Sequence, residues 1–152
     1  MNDAATIHAC CVVVGEDGLL IRGASGAGKS SLAREILFHA GRAGLFCRLV
    51  SDDRTRLRPQ HGRLVASPVE PISGCIEVRG VGIVRQPFEP AAVIRLVVDL
   101  SEDDPPRHPE EQDGHVDLCG VMVPRLRVRT GAFSADIALA RLSGVYDTVM
   151  TL

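Results

Sequence analysis

Residues 23–30 have the sequence Gly-Ala-Ser-Gly-Ala-Gly-Lys-Ser, and no other stretch of the chain constrains its fold as strongly. The octapeptide matches the G-x-x-x-x-G-K-[ST] pattern at every fixed position. Residues 18–22 before it form an apolar run typical of a strand, and residues 31–37 after it are typical of a helix. A glycine-rich loop between a strand and a helix predicts a polyphosphate-binding loop. The alternative, a turn that only caps the helix, does not explain why pattern and context agree.

The residue types of this loop suit a polyphosphate and a divalent cation. Glycines let the backbone approach closely, and amide N–H groups at the start of the following helix attract an anion. Lys29 can reach the terminal phosphates as a point charge, and the Ser30 hydroxyl can ligate Mg²⁺. The residues predicted to bind the nucleotide phosphates are Gly23, Ala24, Ser25, Gly26, Ala27, Gly28, Lys29 and Ser30.

Length and composition predict one domain with an aliphatic core. The 152 residues are 45% hydrophobic but include only four Phe, one Tyr and no Trp. The net charge of -2 and the scarcity of aromatic residues argue against nucleic acid as a partner. No segment has the pattern of a membrane span or a secretory signal. The five cysteines lack C-x-x-C spacing, which favours reduced thiols in the cytoplasm over a zinc site or a disulfide framework.

The hydrophobic pattern predicts a single α/β domain over residues 1–152, with a mixed, strand-rich sheet and few helices. Tight turns are expected at 16–18 and 60–62, and the acidic, proline-containing segment 101–114 is expected to be an exposed loop. Helices are expected at 29–40 and from Ser134, as the N-cap, to about Met150. Strands are expected at 6–14, 19–22, 45–50, 55–59, 63–67, 75–79, 93–100, 116–123 and 126–129.

Two segments could supply the carboxylate that phosphoryl transfer needs. Asp52 and Asp53 follow the apolar strand that ends at Ser51, where one acid could serve Mg²⁺ and the other could accept a hydroxyl proton. Asp99 also follows an apolar strand. A turn or cap role explains an Asp pair equally well. Spacing alone does not choose between these possibilities.

Four motifs occur here in an order that resembles one known family. They are His8, the phosphate loop 23–30, the pair Asp52-Asp53, and residues 77–82 with the sequence Glu-Val-Arg-Gly-Val-Gly. Together they resemble the catalytic C-terminal domain of HPr kinase/phosphorylase, which has a V-x-D-D acid pair and an E-[IV]-R-G-[LV]-G motif. The last motif is the discriminating one, because phosphate-loop proteins in general lack it. The resemblance covers residues 5–100 well and is weaker beyond.

The resemblance implies a fold, an activity and a set of site residues. The fold would be the phosphate-loop variant with extra β-structure shared with phosphoenolpyruvate carboxykinase. The activity would be transfer of a phosphoryl group from ATP, with Mg²⁺, to a seryl hydroxyl of HPr, the phosphocarrier of the sugar phosphotransferase system. Removal of that phosphate by inorganic phosphate, and a homo-oligomer such as the family hexamer, would accompany it.

The resemblance also implies individual roles. Asp52 would take the seryl proton and return it in the reverse reaction, Asp53 would support the metal, and His8 would line the site near the acceptor. The residues implied to shape the site and its mobile neighbourhood are Glu77 and Arg79, within the motif that also contains Gly80 and Gly82.

The chain differs from the family pattern at several places. Many members carry a regulatory domain before the catalytic one, so this sequence resembles a short form without it. Ser31 occupies a position where the family usually has Glu or Asp, and segment 101–114 replaces a D-R-[LV]-G segment. Arg129 and Gly131 keep the frame of a later loop that is implicated in acceptor recognition and phosphorylase activity, but its second basic residue and its Asn are missing. The resemblance therefore favours kinase over phosphorylase activity.

Two other functions stay open from the sequence. One is a nucleotide-binding regulator that has lost its chemistry, which the changes at Ser31 and in the later loop would suit. The other is a phosphate-loop kinase of a small metabolite, although no arginine-rich, lid-like helix follows the loop.

Overall fold

A computed structural model describes residues 4–69, 73–107, 110–131 and 134–143 of the chain. In these ranges the strands outnumber the helices, as the hydrophobic pattern predicts. The elements in chain order are β1 (Ala5–Val14), β2 (Asp17–Arg22), α1 (Lys29–Arg42), β3 (Cys47–Ser51), β4 (Arg54–Gln60), β5 (Arg63–Pro68), β6 (Cys75–Val78), β7 (Gly82–Arg85), β8 (Ala92–Ser101), a 3₁₀ turn (Glu111–Gly114), β9 (His115–Leu118), β10 (Val121–Arg129) and α2 (Ser134–Leu142).

Five strands pair in a closed ring that surrounds one of two cores. β1 pairs antiparallel with β2 and with β4, β4 with β5, and β5 with β8, and a parallel pairing of β8 with β2 closes the ring. β3 adds to β1, β10 adds parallel to β8, and β9 adds to β10. Aliphatic side chains such as Leu20, Leu57 and Val97 fill the first core. Closure leaves none of the five ring strands as an edge strand of the sheet.

The second core lies between the other face of the sheet and the two helices. Helix α1 buries one stripe, which includes Leu32, Ala33, Ile36 and Ala40 at helical spacing. The antiparallel pair β6–β7 packs at this core through Ile76. None of the described helices is long and apolar enough to cross a membrane. Because β2 leads directly into α1, the phosphate loop lies where the sheet meets this helical layer.

The fold class and most element positions predicted from the sequence are confirmed. The hairpin of β4 and β5 turns at His61 and Gly62, whose φ values of 53° and 77° are those of a two-residue hairpin turn. The segment 102–107 is exposed, as expected, and a 3₁₀ turn covers Glu111–Gly114 at the end of that region. The expected second helix is described over Ser134–Leu142, and its predicted continuation from residue 144 lies outside the described residues.

Two details of the prediction are wrong. The first turn lies at Gly15 and Glu16, not at 16–18, since Val14 pairs with Asp17 and Gly18 is already part of β2. Gly18 lets β2 approach β8 closely, because a Cβ there would lie 2.6 Å from the carbonyl oxygen of Val93 on β8.

The expected strand over 116–123 is two strands. A turn at Cys119 and Gly120, with φ of 54° and 84°, separates β9 from β10. β10 then continues through Pro124, which the sequence pattern placed between two strands. Proline is tolerated because residues up to Pro124 pair only with β9, and pairing with β8 begins at Arg125.

A charged triad joins the three parallel strands at the edge near the phosphate loop. Asp99 on β8 accepts two hydrogen bonds from Arg22 on β2, at 2.7 and 2.8 Å, and one from Arg125 on β10 at 2.5 Å. Burial acts to raise the pKa of the Asp99 carboxyl, but the hydrogen bonds and charges of the two arginines outweigh burial and hold this pKa below its ordinary value. The triad therefore stabilises the fold while Asp99 is ionised.

We expect Asp99→Asn to lower the free energy of unfolding at pH 7 by about 1–2 kcal/mol, because the arginines are a quarter exposed and can rehydrate. The folded-state pKa lies below the unfolded one, so this stabilisation is complete above the ordinary Asp pKa of about 4 and is lost as pH falls through the folded pKa. Urea unfolding of both proteins between pH 7 and pH 3 measures the difference.

Asp17→Asn is the matched control, since the Asp17–Arg95 pair is half exposed and its charged atoms are 3.9 Å apart. It should change the free energy of unfolding by less than about 0.5 kcal/mol. Equal effects of the two substitutions at pH 7 would contradict a special role for Asp99.

Candidate active site

The phosphate loop has the backbone of an anion-binding site. Gly26 and Gly28 have φ values of 82° and 99°, which residues with a Cβ rarely adopt. Gly28 precedes α1 without a side-chain cap, and no acidic residue occupies the first turn of that helix. The N–H groups and the positive end of the helix dipole therefore face no negative side chain of their own helix, which leaves them available to a phosphate.

Lys29 lies buried within the loop, folded back over its carbonyl oxygens. Its Nζ donates to the carbonyl of Gly23 at 2.9 Å and to that of Ala24 at 3.1 Å. Gly23 packs closely, because a Cβ there would lie 3.2 Å from the Leu100 carbonyl oxygen and from the Cβ atoms of Ala27 and Leu100. The loop thus holds an ammonium group in place for phosphate oxygens.

Thr130, which follows β10, supports the loop from outside. Its hydroxyl donates to the Ala27 carbonyl at 3.0 Å, and its N–H donates to the Ser101 carbonyl at 2.9 Å. Sequence reasoning missed this residue, since only the parallel pairing of β8 and β10 brings position 130 beside position 27. Its neighbour Arg129, singled out from the family motif, has an exposed side chain that pairs with Asp104 at 3.0 Å.

The acid pair at the end of β3 meets the loop through Asp52. The Ser30 hydroxyl donates to Asp52 Oδ1 at 2.6 Å, and the backbone N–H of Glu77 donates to Asp52 Oδ2 at 3.1 Å. Asp53 is exposed, with φ of 64°, and its carboxylate has no hydrogen bond or ion pair with the part of the chain that the structure describes. The two aspartates, which look equivalent in the sequence, therefore have different surroundings.

Cys10 on β1 contacts both aspartates. Its thiol donates to Asp52 Oδ1 at 3.1 Å, and its sulfur accepts the N–H of Asp53 at 3.4 Å. Burial first, and the nearby Asp52 charge second, raise the pKa of Cys10 to about 12, so the thiol stays protonated. Nothing in the cysteine spacing indicates this position, because the contacts depend on the pairing of β1 with β3.

Among the described residues, the remaining motif residues lie near the acid pair and form no hydrogen bond with the loop. His8 is exposed and pairs along β1 with Arg54, next to Asp53 in the chain, and Ala9 N–H donates to the Asp53 carbonyl at 3.0 Å. Residues 77–82 form the tip of the β6–β7 hairpin. Their exposed members are Glu77, Arg79, Gly80, Val81 and Gly82, with φ of 85° at Gly80 and 109° at Gly82.

The geometry distinguishes between the two acidic segments that spacing left open. Both carboxylate oxygens of Asp99 accept hydrogen bonds from Arg22 or Arg125, whereas Asp52 contacts Ser30 of the loop. The Ser30 hydroxyl and the Asp52 carboxylate are hard oxygen donors of the kind that Mg²⁺ prefers. No cluster of three or more His, Cys, Asp or Glu side chains able to hold a metal occurs in the described ranges. This donor set fits Mg²⁺, which keeps most of its ligands as water and phosphate oxygens.

Known proteins share both the sequence and the fold. The family model described as HPr Serine kinase C-terminal domain matches residues 1–138. The HPr kinase/phosphorylase of Geobacillus thermodenitrificans (strain NG80-2) is 32% identical over 133 residues, which cover 80% of this chain and 41% of the relative. That of Clostridium tetani (strain Massachusetts / E88) is 38% identical over 81 residues, or 53% of this chain and 25% of the relative. The chain thus spans less than half the length of these curated relatives.

A solved structure, of the Hpr(Ser) kinase/phosphatase from Coxiella burnetii, has the same fold with a TM-score of 0.70. The two sequences are 23% identical, and the match covers 93% of each chain. Since the match of the family model includes the phosphate loop, the acid pair and the 77–82 motif, the chain belongs to the HPr serine kinase C-terminal domain family.

Proposed function

We propose that this protein is a protein-serine kinase that transfers the γ-phosphoryl group of ATP to a seryl hydroxyl of HPr. The observation that carries the proposal is the 2.6 Å hydrogen bond between Ser30 and Asp52, which joins the phosphate loop to a carboxylate. Loop and acid are the two halves that phosphoryl transfer requires. The names of the family and of the relatives support HPr as the acceptor.

The loop residues bind and orient the donor nucleotide. The N–H groups at the start of α1 and the Lys29 ammonium group surround the terminal phosphates, so that charge on the transferring phosphoryl group is stabilised. Ser30 and phosphate oxygens would hold Mg²⁺, which neutralises part of that charge when it is bound. Asp53 has no hydrogen bond with Ser30, and its expected role at the metal stays a prediction.

Asp52 is the proposed base for the seryl proton. A carboxylate has about four acceptor positions. Ser30 and Cys10 use two on Oδ1, and the Glu77 N–H uses one on Oδ2. The remaining position on Oδ2 can accept the proton as the seryl oxygen bonds to phosphorus and the bond to the ADP oxygen breaks. The same group would return the proton in the phosphorylase reaction, which stays a secondary proposal.

The surroundings of the reaction follow from the family. His8 is exposed near the acid pair, and Arg79 is exposed at the tip of the β6–β7 hairpin. We assign both residues to contact with the acceptor. Arg129, in the loop that the family uses for acceptor recognition, is assigned to the same surface. A cytoplasmic location and a homo-oligomer stay predictions of the family resemblance.

Lys29→Met should lower the rate of label transfer from γ-labelled ATP to HPr by at least about a hundredfold, since it removes a charge that stabilises the transition state. Incubation with Mg²⁺ and HPr, followed by counting of labelled HPr, measures it. HPr without its acceptor serine is the control and should stay unlabelled. Tight ATP binding with no transfer by the unmodified protein would instead support a nucleotide-binding regulator, and label on small metabolites alone would support a metabolite kinase.

Asp52→Asn should lower kcat for HPr phosphorylation by about 10²–10⁴-fold, because the amide cannot take the seryl proton. ATP affinity, measured with a fluorescent analogue, should change by less than about threefold, since the loop remains intact. Asp53→Asn is the matched control, with the same substitution one residue away on an exposed carboxylate. A larger loss of kcat in Asp53→Asn than in Asp52→Asn would assign the base to Asp53 instead.

A further inference from the structure

We infer that Cys10 is a positioning residue that fixes the orientation of the Asp52 carboxylate for phosphoryl transfer. The inference rests on the proposed function of Asp52, and it assigns a role to a residue outside every motif of the sequence. Cys10 is completely buried on β1, directly between the phosphate loop and the acid pair. It is the described residue whose side chain contacts both aspartates.

The contacts of the thiol are directional. Its S–H donates to Asp52 Oδ1, its sulfur accepts the Asp53 N–H, and the Ser30 Oγ lies 3.8 Å from the sulfur. The pairing of β1 with β3 is irregular at this point, because Cys11 pairs with Ser51 whereas Val12 pairs with Leu49. This irregularity sets the end of β3, and with it the acid pair, against Cys10.

The thiol contact matters most when the loop holds the nucleotide and Mg²⁺. The Ser30 hydroxyl would then turn from Asp52 towards the metal and the phosphates. Two donors would remain on the carboxylate, namely the Cys10 thiol on Oδ1 and the Glu77 N–H on Oδ2. One contact on each oxygen fixes the rotation of the carboxylate group, and keeps the free acceptor position of Oδ2 directed at the same place. Without the thiol, a single contact remains and the group can rotate.

Cys10→Ala removes this donor, and Cys10→Ser restores a donor and an acceptor with a shorter bond to carbon. Cys11→Ala is the matched control, since Cys11 is equally buried but faces the core inside the ring of strands. Its thiol donates to the carbonyl of Val12, at 3.9 Å, which is outside the site. Urea unfolding of all three variants reports any loss of stability separately from activity.

Cys10→Ala should lower kcat for HPr phosphorylation by about tenfold, while KM for ATP changes by less than about twofold, because orientation and not binding is lost. Cys10→Ser should recover kcat to within about threefold of the unmodified protein. Cys11→Ala should leave kcat unchanged. An unchanged kcat in Cys10→Ala, or an equal loss of kcat in Cys11→Ala, would overturn the inference.

A second measurement needs no acceptor and separates this inference from the proposed function. In crystals of Cys10→Ala with an ATP analogue and Mg²⁺, the Asp52 carboxylate should be rotated from the orientation that it keeps in crystals of Cys11→Ala, because a single contact, from the Glu77 N–H, remains on it. In an Asp52→Asn background, Cys10→Ala should not lower kcat any further, because the thiol acts through that carboxylate. An additive effect in the double variant would overturn the inference. Absence of HPr labelling by the unmodified protein, together with this difference in the orientation of Asp52, would reject the proposed acceptor alone.

Discussion

The parallel alignment of β2, β8 and β10 is the constraint on which the phosphate loop depends. The three strands end at the same edge, so the end of β8 packs on Gly23 and Thr130 after β10 packs on Ala27. Asp99 holds this edge together between Arg22 and Arg125. A short glycine-rich loop has little side-chain packing of its own. Its conformation therefore depends on the strands that flank it.

Strand β1 extends this constraint to the acid pair. It lies between β2 and β3, so its residues contact the strand that enters the loop and the strand that Asp52 follows. Ser30, Cys10 and Asp52 meet across β1, although 22 and 42 positions separate Asp52 from its two partners. Strand β1 thus brings the phosphate loop and the acid pair together. Neither the loop nor the acid pair could form this contact alone.

Local chemistry explains which parts could be predicted from the sequence. The phosphate loop, the hairpin turn at His61-Gly62 and the strand that carries Asp99 follow from residue types and short-range spacing. The division of β9 from β10 could not be predicted, because Cys119 adopts a positive φ that tertiary pairing imposes. Cys10 and Thr130 were missed for the same reason, since their partners are distant in sequence. Asp52 follows one apolar strand and Asp99 lies near the end of another, and only their neighbours in space distinguish them.

The serine at position 31 affects which carboxylates lie near the phosphate loop. An acid at that position would place a carboxylate in the first turn of α1, where none is present in this chain. Asp52 is therefore the carboxylate that contacts the loop, and its orientation depends on Ser30, Cys10 and the Glu77 N–H. The segment that follows the β6–β7 hairpin is attached to β3, because the Glu89 N–H donates to the Leu49 carbonyl at 2.9 Å. The Glu77 N–H thus couples the position of the hairpin to the orientation of the Asp52 carboxylate.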